Sequence, residues 1–277
     1  MYKCPNCNEK LILDDGGYNC INRHHFDISR YGYVNLLLSN QKHSLNPGDN
    51  KEMILSRVDF LSLGYYSFLR DKILELINKY SEQDDNVYFA DLACGEGYYT
   101  NYIHESIQKY KNIVTVGIDI SKYAIIEACK KRNSSHLSDI NYCIGNLMNM
   151  PFYDESFNIM LNCFALLDVK EFNRVLKHNG CFIRVLPDYD HLYELKQVLY
   201  DNVILNKPKD EKLEGFELVE KVSIKDKISL KSKKEIFDLF TMTPYYYKSS
   251  KEDMDKLSNL DSLTTIASFV LYVYRKI

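Results

Sequence analysis

Four residues near the amino terminus have the types and the spacing of zinc ligands. Cys4 and Cys7 form a C-x2-C pair, and Cys20 and His24 form a C-x3-H pair after twelve intervening residues. Thiolate sulfur and imidazole nitrogen are ligands that tetrahedral Zn²⁺ prefers, and each short turn directs its two side chains at one point. Because four protein ligands leave no open coordination position, the predicted zinc site is structural and not catalytic.

The residues between the two pairs support a metal-stabilised hairpin. Gly16 and Gly17 lie in the returning loop, where a tight turn needs positive φ. A segment of about thirty residues buries too little apolar surface to fold alone, so the metal would supply the missing free energy. Two alternatives remain open from the sequence: His25 in place of His24 as the fourth ligand, and a set of free thiols in an ordinary turn.

Length and composition set the class of protein. The chain has 277 residues, of which 45% are hydrophobic, and its formal net charge is −3. These values favour a globular protein with a real core and disfavour broad, non-specific polyanion binding. No apolar run is long enough for a transmembrane helix, and the first residues lack the pattern of a signal or transit peptide. We therefore expect a cytoplasmic protein without a membrane partner, in which cysteines stay reduced and serve metals.

The elements that position a ligand site begin after residue 49. Apolar residues at helical spacing predict two helices that Gly64 separates, and a mix of basic and aromatic residues before them suits RNA contacts. Residues 33–38 could instead form an apolar strand that packs the metal module onto its neighbour. Downstream, five buried strands alternate with helices: 87–92, a strand ending at Asp119, 140–146, 157–166 and 181–187.

This alternation predicts a doubly wound α/β fold with a mostly parallel sheet, whose ligand site lies at the carboxyl ends of the central strands. The last 80 or so residues predict two more strands, 221–230 and 268–276, with helices between them. An antiparallel pair would close one edge and bring the sheet to seven strands.

A short glycine turn follows the first strand of this fold. The sequence is D-L-A-C-G-E-G, with Gly95 and Gly97 in the turn and Asp119 at the end of the next strand. A carboxylate at that position accepts hydrogen bonds from ribose hydroxyls, and a turn without the full phosphate fingerprint suits a nucleoside without pyrophosphate. In this combination the chain resembles class I S-adenosylmethionine (SAM) methyltransferases, and this resemblance implies SAM as cofactor.

Motifs along nearly the whole chain resemble one family of RNA methyltransferases. They comprise the N-terminal cluster with F-D-x-x-R-x-G-Y-V-N-L-L, then NPGDNKEM, GEGYYT, GIDISKYAI, DYDHLYELKQVLYD and the MTP of residues 242–244. Together they are similar to the RlmA-type 23S rRNA guanine-N(1) methyltransferases. The resemblance implies a zinc module over residues 1–40 that recognises an rRNA hairpin, a helical linker over 41–80, and a SAM domain over 81–277.

The same resemblance implies the activity and the partners. We expect methylation of a guanine N1 in a 23S rRNA hairpin near the macrolide-binding region, a homodimer with an RNA cleft, and an effect on antibiotic resistance. Alternatives are methylation of another RNA or of a small molecule, and an RNA-binding protein with weakened catalysis. A small-molecule substrate would leave the zinc module without a role, which counts against that alternative. The presence of Gly95, Gly97 and Asp119 counts against a loss of catalysis.

The expected cofactor site draws on several separate segments of the chain. Its residues are Tyr66, Asp91, Gly95, Glu96, Gly97, Tyr98, Asp119, Ile120, Asn146, Leu147, Asn162 and His191. Of these, Tyr66, Gly95, Glu96 and His191 match family residues that contact SAM. Tyr66 could equally belong to the core, and His191 could merely cap a helix.

Methylation at guanine N1 requires removal of a proton, because that nitrogen is protonated at neutral pH. The candidate bases are Asp188, Asp190 and His191, and the alternative for all three is a solvated turn at a helix start. The chain departs from the family pattern at Ala93, Leu166 and the pair His178-Asn179. Leu166 replaces a proline near the expected acceptor base, which puts target choice or rate in doubt but leaves SAM binding intact.

Overall fold

The computed structural model describes the whole chain except residues 43, 45, 46, 138 and 208–210. The N-terminal region forms a small antiparallel sheet of β1 (Ile12–Leu13), β2 (Gly17–Asn19) and β3 (His25–Asp27), followed by β4 (Tyr33–Asn35) and a 3-10 helix at Ser39–Gln41. Two helices come next, α1 (Lys51–Ser62) and α2 (Ser67–Tyr80). The predicted break between them is confirmed at Gly64, which has a φ of 80°.

The central part of the chain alternates strands and helices as the sequence predicts. Its elements are β5 (Asn86–Leu92), α3 (Tyr98–Ile107), β6 (Asn112–Asp119), α4 (Lys122–Ser134), β7 (Ile140–Ile144), β8 (Phe157–Cys163), α5 (Val169–Val175), β9 (Leu176–Pro187) and α6 (Tyr193–Leu199). The C-terminal part contains β10 (Phe216–Leu230), α7 (Lys233–Thr241), α8 (Lys251–Ser258) and β11 (Leu263–Lys276). The strand β10 begins at Phe216 rather than at Lys221.

These strands form one sheet in the order β10-β11-β9-β8-β5-β6-β7-β4. The strands from β4 to β9 pair in parallel, and β11 pairs antiparallel with both β9 and β10. This is the α/β architecture with a mostly parallel sheet that the sequence predicts. In the described part of the chain the sheet has eight strands rather than seven, because β4 from the N-terminal region adds to the edge beside β7.

Two large apolar clusters cover the two faces of the sheet. One face packs against α2, α3, α6 and α7 through residues such as Leu69, Ile103 and Phe269. The other face packs Phe172 and Phe182 together with Tyr2, Cys4 and Leu36 of the N-terminal region. The core of the α/β domain therefore includes side chains of the N-terminal region. No helix in the described ranges is long and apolar enough to cross a membrane.

Candidate zinc centre and cofactor site

The four predicted metal ligands come together in the structure. The ligand atoms of Cys4, Cys7, Cys20 and His24 all lie within 4.8 Å of one another. The Sγ atoms of Cys7 and Cys20 are 3.7 Å apart, and His24 Nδ1 is 3.5 Å from Cys4 Sγ and 3.4 Å from Cys20 Sγ. A tetrahedron with Zn–S bonds of about 2.3 Å and a Zn–N bond of about 2.0 Å has edges of roughly 3.5 to 3.8 Å. The cluster therefore fits zinc.

Two tight turns present these ligands. Each turn contains a residue in the left-handed region, Asn8 and Arg23, each with a φ of 62°. In the first turn Asn8 N–H donates to Cys4 O at 2.8 Å, and in the second Arg23 N–H donates to Cys20 O at 2.9 Å. Gly17 allows β2 and β3 to approach, since a Cβ at Gly17 would lie 2.4 Å from Phe26 O. The local backbone thus fixes the ligand positions.

The ring of His25 is engaged away from the cluster. Its Nδ1 lies 2.7 Å from Asn19 Oδ1, and its Nε2 lies 2.9 Å from Asp27 Oδ1. Because both ring nitrogens have partners on β2 and β3, His25 is not positioned as a ligand. The geometry favours His24, in agreement with the C-x3-H spacing.

The zinc module packs directly on the methyltransferase domain. The Tyr2 side chain is buried, stacks on Phe152 at 5.7 Å and meets the Tyr18 ring edge-on at 5.2 Å. Lys3 N–H donates to Pro151 O at 3.0 Å. These contacts join the module to the loop that precedes β8, so the fold couples the position of the zinc cluster to the main sheet.

The glycine turn after β5 has a left-handed backbone at three positions. The φ angles are 63° at Ala93, 55° at Gly95 and 77° at Gly97. A Cβ at Gly97 would lie 2.6 Å from Tyr142 Oη, so both φ and space require glycine there. Ala93 adopts the left-handed conformation despite its Cβ, at a cost of about 1 kcal/mol. The departure from the family pattern at Ala93 therefore leaves the turn formed.

Asp119, at the end of β6, holds this turn. Its Oδ2 accepts from Gly95 N–H at 2.9 Å, and its Oδ1 accepts from Ser121 N–H at 2.8 Å. Burial raises the pKa of the Asp119 carboxyl, although both N–H donors oppose the shift. The carboxylate fixes the two segments that the sequence assigns to the cofactor site.

Asp91 is buried below the turn on β5. Its Oδ2 accepts a hydrogen bond from Thr100 Oγ1 at 2.6 Å, which connects β5 to the first turn of α3. Burial raises the pKa of the Asp91 carboxyl to about 7, and the charges of Glu96 and Asp119 add to the shift. The structure therefore gives Asp91 a buried, internal position beneath the site.

Two buried oxygens near the carboxyl ends of β5 and β8 have no hydrogen-bond partner among the described residues. They are Glu96 Oε1 and Asn162 Oδ1, on side chains that are 2% and 0% exposed. Asn162 Nδ2 donates to Leu92 O at 3.2 Å, which orients the amide. Because buried polar atoms are normally paired, these oxygens fit a site that receives the polar groups of a bound cofactor. The residues present are compatible with SAM.

Tyr66 and His191 lie together near the carboxyl end of β9. Their ring centroids are 6.4 Å apart, and both rings contact Phe269, at 4.9 Å from Tyr66 and 4.7 Å from His191. His191 Nδ1 accepts from Ser268 N–H at 3.1 Å. Burial lowers the pKa of His191 to about 3, and Lys196 adds to the shift, so the imidazole is neutral at physiological pH.

The other expected cofactor residues follow the ends of neighbouring elements. Tyr98 is buried and begins α3, and Ile120 follows β6 with partial exposure. Asn146 and Leu147 follow β7 and are half-buried, and Asn146 Oδ1 accepts from Met148 N–H at 2.9 Å. All four positions therefore lie past the carboxyl ends of parallel strands or at the helix that follows one.

Two of the three candidate bases, Asp188 and Asp190, follow β9 and are half-buried. Asp188 Oδ1 accepts from Tyr189 N–H at 2.8 Å, and Asp190 Oδ2 lies 3.7 Å from Lys225 Nζ. Leu166, in the loop after β8, is 78% exposed, and its carbonyl accepts from Asn162 Nδ2 at 3.4 Å. Asn179 has a φ of 61° and lies within β9, at the point where the register with β8 shifts, so an asparagine adopts the left-handed conformation there.

One residue at the site was not predicted from the sequence. Arg57 on α1 has its Nη1 3.6 Å from the place that a Cβ on Gly95 would occupy. Its Nη2 donates to Asp49 Oδ2 at 2.5 Å and to Met242 O at 3.4 Å. The only sequence signal was a basic residue inside the otherwise ordinary helix that follows the NPGDN segment.

Comparison with known proteins agrees with this geometry. Residues 2–45 match the family model of the RlmA N-terminal zinc ribbon, and residues 83–244 match a methyltransferase domain model. The relative YxjB of Bacillus subtilis (strain 168), whose name assigns it provisionally as a 23S rRNA (guanine-N(1)-)-methyltransferase, is 32% identical over 72% of this chain and 69% of its own. The 23S rRNA (guanine(748)-N(1))-methyltransferase of Streptomyces fradiae is 28% identical over 71% of this chain and 67% of its own.

Solved structures show a more distant likeness. The YcgJ protein of Bacillus subtilis has a TM-score of 0.49 at 18% identity, covering 73% of this chain and 97% of that protein. The ribbon match, the methyltransferase-domain match and the identity to YxjB together determine the family. The chain belongs to the RlmA-type 23S rRNA (guanine-N(1)-)-methyltransferase family.

Proposed function

We propose that this protein transfers a methyl group from SAM to N1 of a guanine in a 23S rRNA hairpin near the macrolide-binding region. The observation that carries the proposal is that one chain contains both the RlmA zinc ribbon and a methyltransferase domain. In that domain the glycine turn is formed, and its Gly95 N–H donates to the Asp119 carboxylate. The names of the relatives from Bacillus subtilis and Streptomyces fradiae support the substrate. An effect on antibiotic resistance is part of this proposal.

In this proposal the cofactor is held at the carboxyl ends of β5 to β8. The Gly95-Glu96-Gly97 turn approaches it closely, Asp119 accepts from its ribose, and Asn146 and Leu147 border its adenine. Asp91 supports the turn from below, and Tyr66, Tyr98, Ile120, Asn162 and His191 complete the site. SAM supplies a methyl group that its sulfonium activates for transfer. The role of the chain is then to exclude water and to orient the acceptor.

The proton of guanine N1 must reach a base of the protein. His191 does not suit that role, because its Nδ1 lone pair accepts from Ser268 N–H and its Nε2 then carries the ring hydrogen. This leaves Asp188 and Asp190, whose half-buried carboxylates follow β9. We propose that one of these two carboxylates accepts the proton.

The zinc module is proposed to recognise the rRNA hairpin, with residues 1–40 as the reader, 41–80 as the linker and 81–277 as the catalytic domain. The exposed Arg30 beside the half-buried Tyr31 at the end of the ribbon supports RNA contact, since the Arg30 guanidinium lies 4.9 Å from the centre of the Tyr31 ring. Such a pair offers a charge for phosphate and a ring for a base. We further propose a homodimer that forms the RNA cleft, and a cytoplasmic location with the ribosome.

Methyl transfer from labelled SAM to unmodified 23S rRNA tests the proposal. A methyl on N1 blocks the Watson–Crick edge, so primer extension should stop one nucleotide before a single guanine. Asp188→Asn and Asp190→Asn, assayed beside the wild type, should differ, with a loss of about 10²- to 10⁴-fold in the variant that lacks the base. If the protein binds SAM but transfers no labelled methyl group to 23S rRNA, the proposed substrate is contradicted. The exposed loop that contains Leu166 would then be the first segment to replace by mutagenesis.

A further inference from the structure

Arg57 lies between the glycine turn and the segment before α1. Residues 47–50 pack on the turn after β6: Ser121 Oγ donates to Asp49 O at 2.9 Å, and a Cβ at Gly48 would lie 2.9 Å from Ser121 Cβ. Asp49 then pairs with Arg57 Nη2 at 2.5 Å. The guanidinium therefore lies beside both segments that the proposed cofactor site uses.

Both hydrogen bonds that Arg57 makes to the described residues use Nη2. One goes to Asp49 Oδ2, and the other to Met242 O after α7. The opposite nitrogen, Nη1, faces the Gly95 position at 3.6 Å. Since a guanidinium carries five donors in a fixed fork, Arg57 has donors available on the side that faces the turn.

Three carboxylates lie close enough to Arg57 to affect its pKa. Burial lowers the pKa of Arg57, but the carboxylates of Asp49, Glu96 and Asp119 outweigh this effect and raise the pKa above its ordinary value. The Arg57 side chain is 23% exposed, and it carries a full positive charge at the turn. Next to this cation stands the buried Glu96, whose Oε1 has no partner among the described residues.

This arrangement matches the chemistry of one part of SAM. The methionine portion of SAM is a zwitterion with one carboxylate and one ammonium group. A guanidinium binds a carboxylate through two parallel N–H donors, and a buried carboxylate with an unpaired oxygen suits an ammonium. The remainder of the cofactor is a sulfonium, a ribose and an adenine, none of which offers an anion to Arg57.

We propose that Arg57 binds the α-carboxylate of the cofactor, while Glu96 accepts from its α-ammonium. Asp49 and Met242 O hold the guanidinium in position through Nη2 and leave Nη1 for the ligand. Arg57 is thus a cofactor-binding residue that α1 supplies from outside the strand-end motifs. The proposal rests on SAM as the methyl donor, and it is independent of the rRNA that receives the methyl group.

A purely structural role for Arg57 is the alternative. In that case the residue would only tie residues 47–50 and the end of α7 to the glycine turn, and its loss would weaken binding of any ligand at the site. The two roles differ in one measurable respect, since only direct contact depends on the carboxylate of the ligand.

The test compares two ligands on three proteins without RNA. Isothermal titration calorimetry measures the Kd of SAM and of decarboxylated SAM, which lacks the α-carboxylate, for the wild type, Arg57→Gln and Asp49→Asn. The wild type should bind SAM about 10- to 100-fold more tightly than decarboxylated SAM, as is typical of a charge-assisted hydrogen bond. Arg57→Gln should lose this preference and bind both ligands within about threefold of each other.

Asp49→Asn is the matched control, because it disturbs the tie to residues 47–50 but retains the guanidinium. It should keep most of the preference for SAM over decarboxylated SAM. Equal loss of both ligands in Arg57→Gln, with the preference retained, would overturn the proposal. If Arg57→Gln does not fold, the wild type alone still decides, since equal affinities for the two ligands would also overturn it. A failure of rRNA methylation leaves these titrations unaffected.

Discussion

The zinc cluster and the glycine turn place their polar groups in opposite ways. The ligand atoms of Cys4, Cys7, Cys20 and His24 face one another at the spacing of a closed tetrahedron. Around the glycine turn, by contrast, the buried Glu96 Oε1 and Asn162 Oδ1 have no partner in the part of the chain that the structure describes. A closed ligand set suits a metal that stabilises the fold, whereas open polar atoms suit a molecule that enters and leaves.

The two regions also differ in how they depend on the rest of the protein. The turns of the zinc cluster are held by hydrogen bonds within the first 27 residues, such as Asn8 N–H to Cys4 O and Arg23 N–H to Cys20 O. The proposed cofactor site would join residues from β5, β6, β8, α1 and α3. We therefore expect substitutions to separate metal binding from cofactor binding.

The largest effect is expected from Cys7→Ser. Loss of one thiolate from a four-ligand site should reduce zinc from about one ion per chain to well below half, because metal binding and folding of the ribbon are linked. Amide hydrogen exchange over residues 1–37 should become faster, and rRNA methylation should fall with the zinc content. SAM affinity should stay within about threefold of the wild-type value.

Cys129→Ala is the control for this experiment, since Cys129 is buried in α4 and lies outside the cluster. It should retain the full zinc content. Retention of both zinc and rRNA activity in Cys7→Ser would contradict the role of the module.

The next effect is expected from Asp119→Asn. The carboxylate accepts from the N–H groups of Gly95 and Ser121, and an amide can accept from only one of them. The amide would also weaken the proposed hydrogen bond from the SAM ribose. Because hydrogen bonds to charged groups are worth about 1.5 to 3 kcal/mol, SAM affinity should fall by about 10- to 100-fold. Calorimetric titration with SAM measures this loss.

The zinc content should not change in Asp119→Asn, because Asp119 lies outside the zinc cluster. This result would show that cofactor binding can be lost without loss of metal binding. Asp188→Asn provides the comparison variant, with unchanged SAM affinity expected. An Asp119→Asn variant that binds SAM as the wild type does would remove Asp119 from the cofactor site.

An effect on folding of comparable size is expected from Gly97→Ala. Its φ of 77° disfavours a Cβ, and that Cβ would also lie 2.6 Å from Tyr142 Oη. The left-handed backbone and the close contact together should lower the free energy of unfolding by about 2 to 4 kcal/mol. Urea denaturation measures the change.

Gly64→Ala separates the two causes, because Gly64 has a φ of 80° but nothing within 4 Å of its added Cβ. Its cost should be about 1 kcal/mol from the backbone alone. Equal costs at Gly64 and Gly97 would show that the contact with Tyr142 is relieved by a local shift.

The smallest effect concerns the dependence of stability on pH. The Asp91 carboxyl has a pKa of about 7 in the folded protein and an ordinary value of 3.8, so the folded state binds more protons between these values. The contribution of Asp91 to stability should therefore decrease as pH rises from about 4 to about 7. Asp91→Asn should remove this component and be more stable relative to the wild type at pH 8 than at pH 5, by roughly 1 to 3 kcal/mol.

Urea denaturation of both proteins at several pH values measures this difference. His191 contributes with the opposite sign, since its pKa of about 3 lies below the ordinary value of 6.5 and stability is lost as pH falls through this range. Comparing Asp91→Asn with the wild type at each pH cancels that contribution. A difference that does not vary with pH would contradict the raised pKa of Asp91.

The sequence predicted the fold well because its pattern is strongly periodic. The alternation of buried strands and helices predicted the parallel sheet. The two predicted C-terminal strands correspond to β10 and β11, which form the antiparallel edge. The eighth strand was not predicted, although a strand over residues 33–38 was one of the two alternatives for that segment. Three residues, Tyr33–Asn35, pair with β7, and so short a segment gives no signal of which sheet it joins.

The sequence by itself determined the ligand types and spacing of the zinc cluster, and the left-handed turn that requires Gly97. These features depend on residues close in the chain, so local backbone geometry and side-chain chemistry specify them. Only the tertiary structure decided that His25 turns to Asn19 and Asp27, that Arg57 reaches the Gly95 turn, and that Glu96 Oε1 and Asn162 Oδ1 remain unpaired. Most of these outcomes depend on elements far apart in sequence, and all of them depend on which neighbour each polar atom meets when the elements pack.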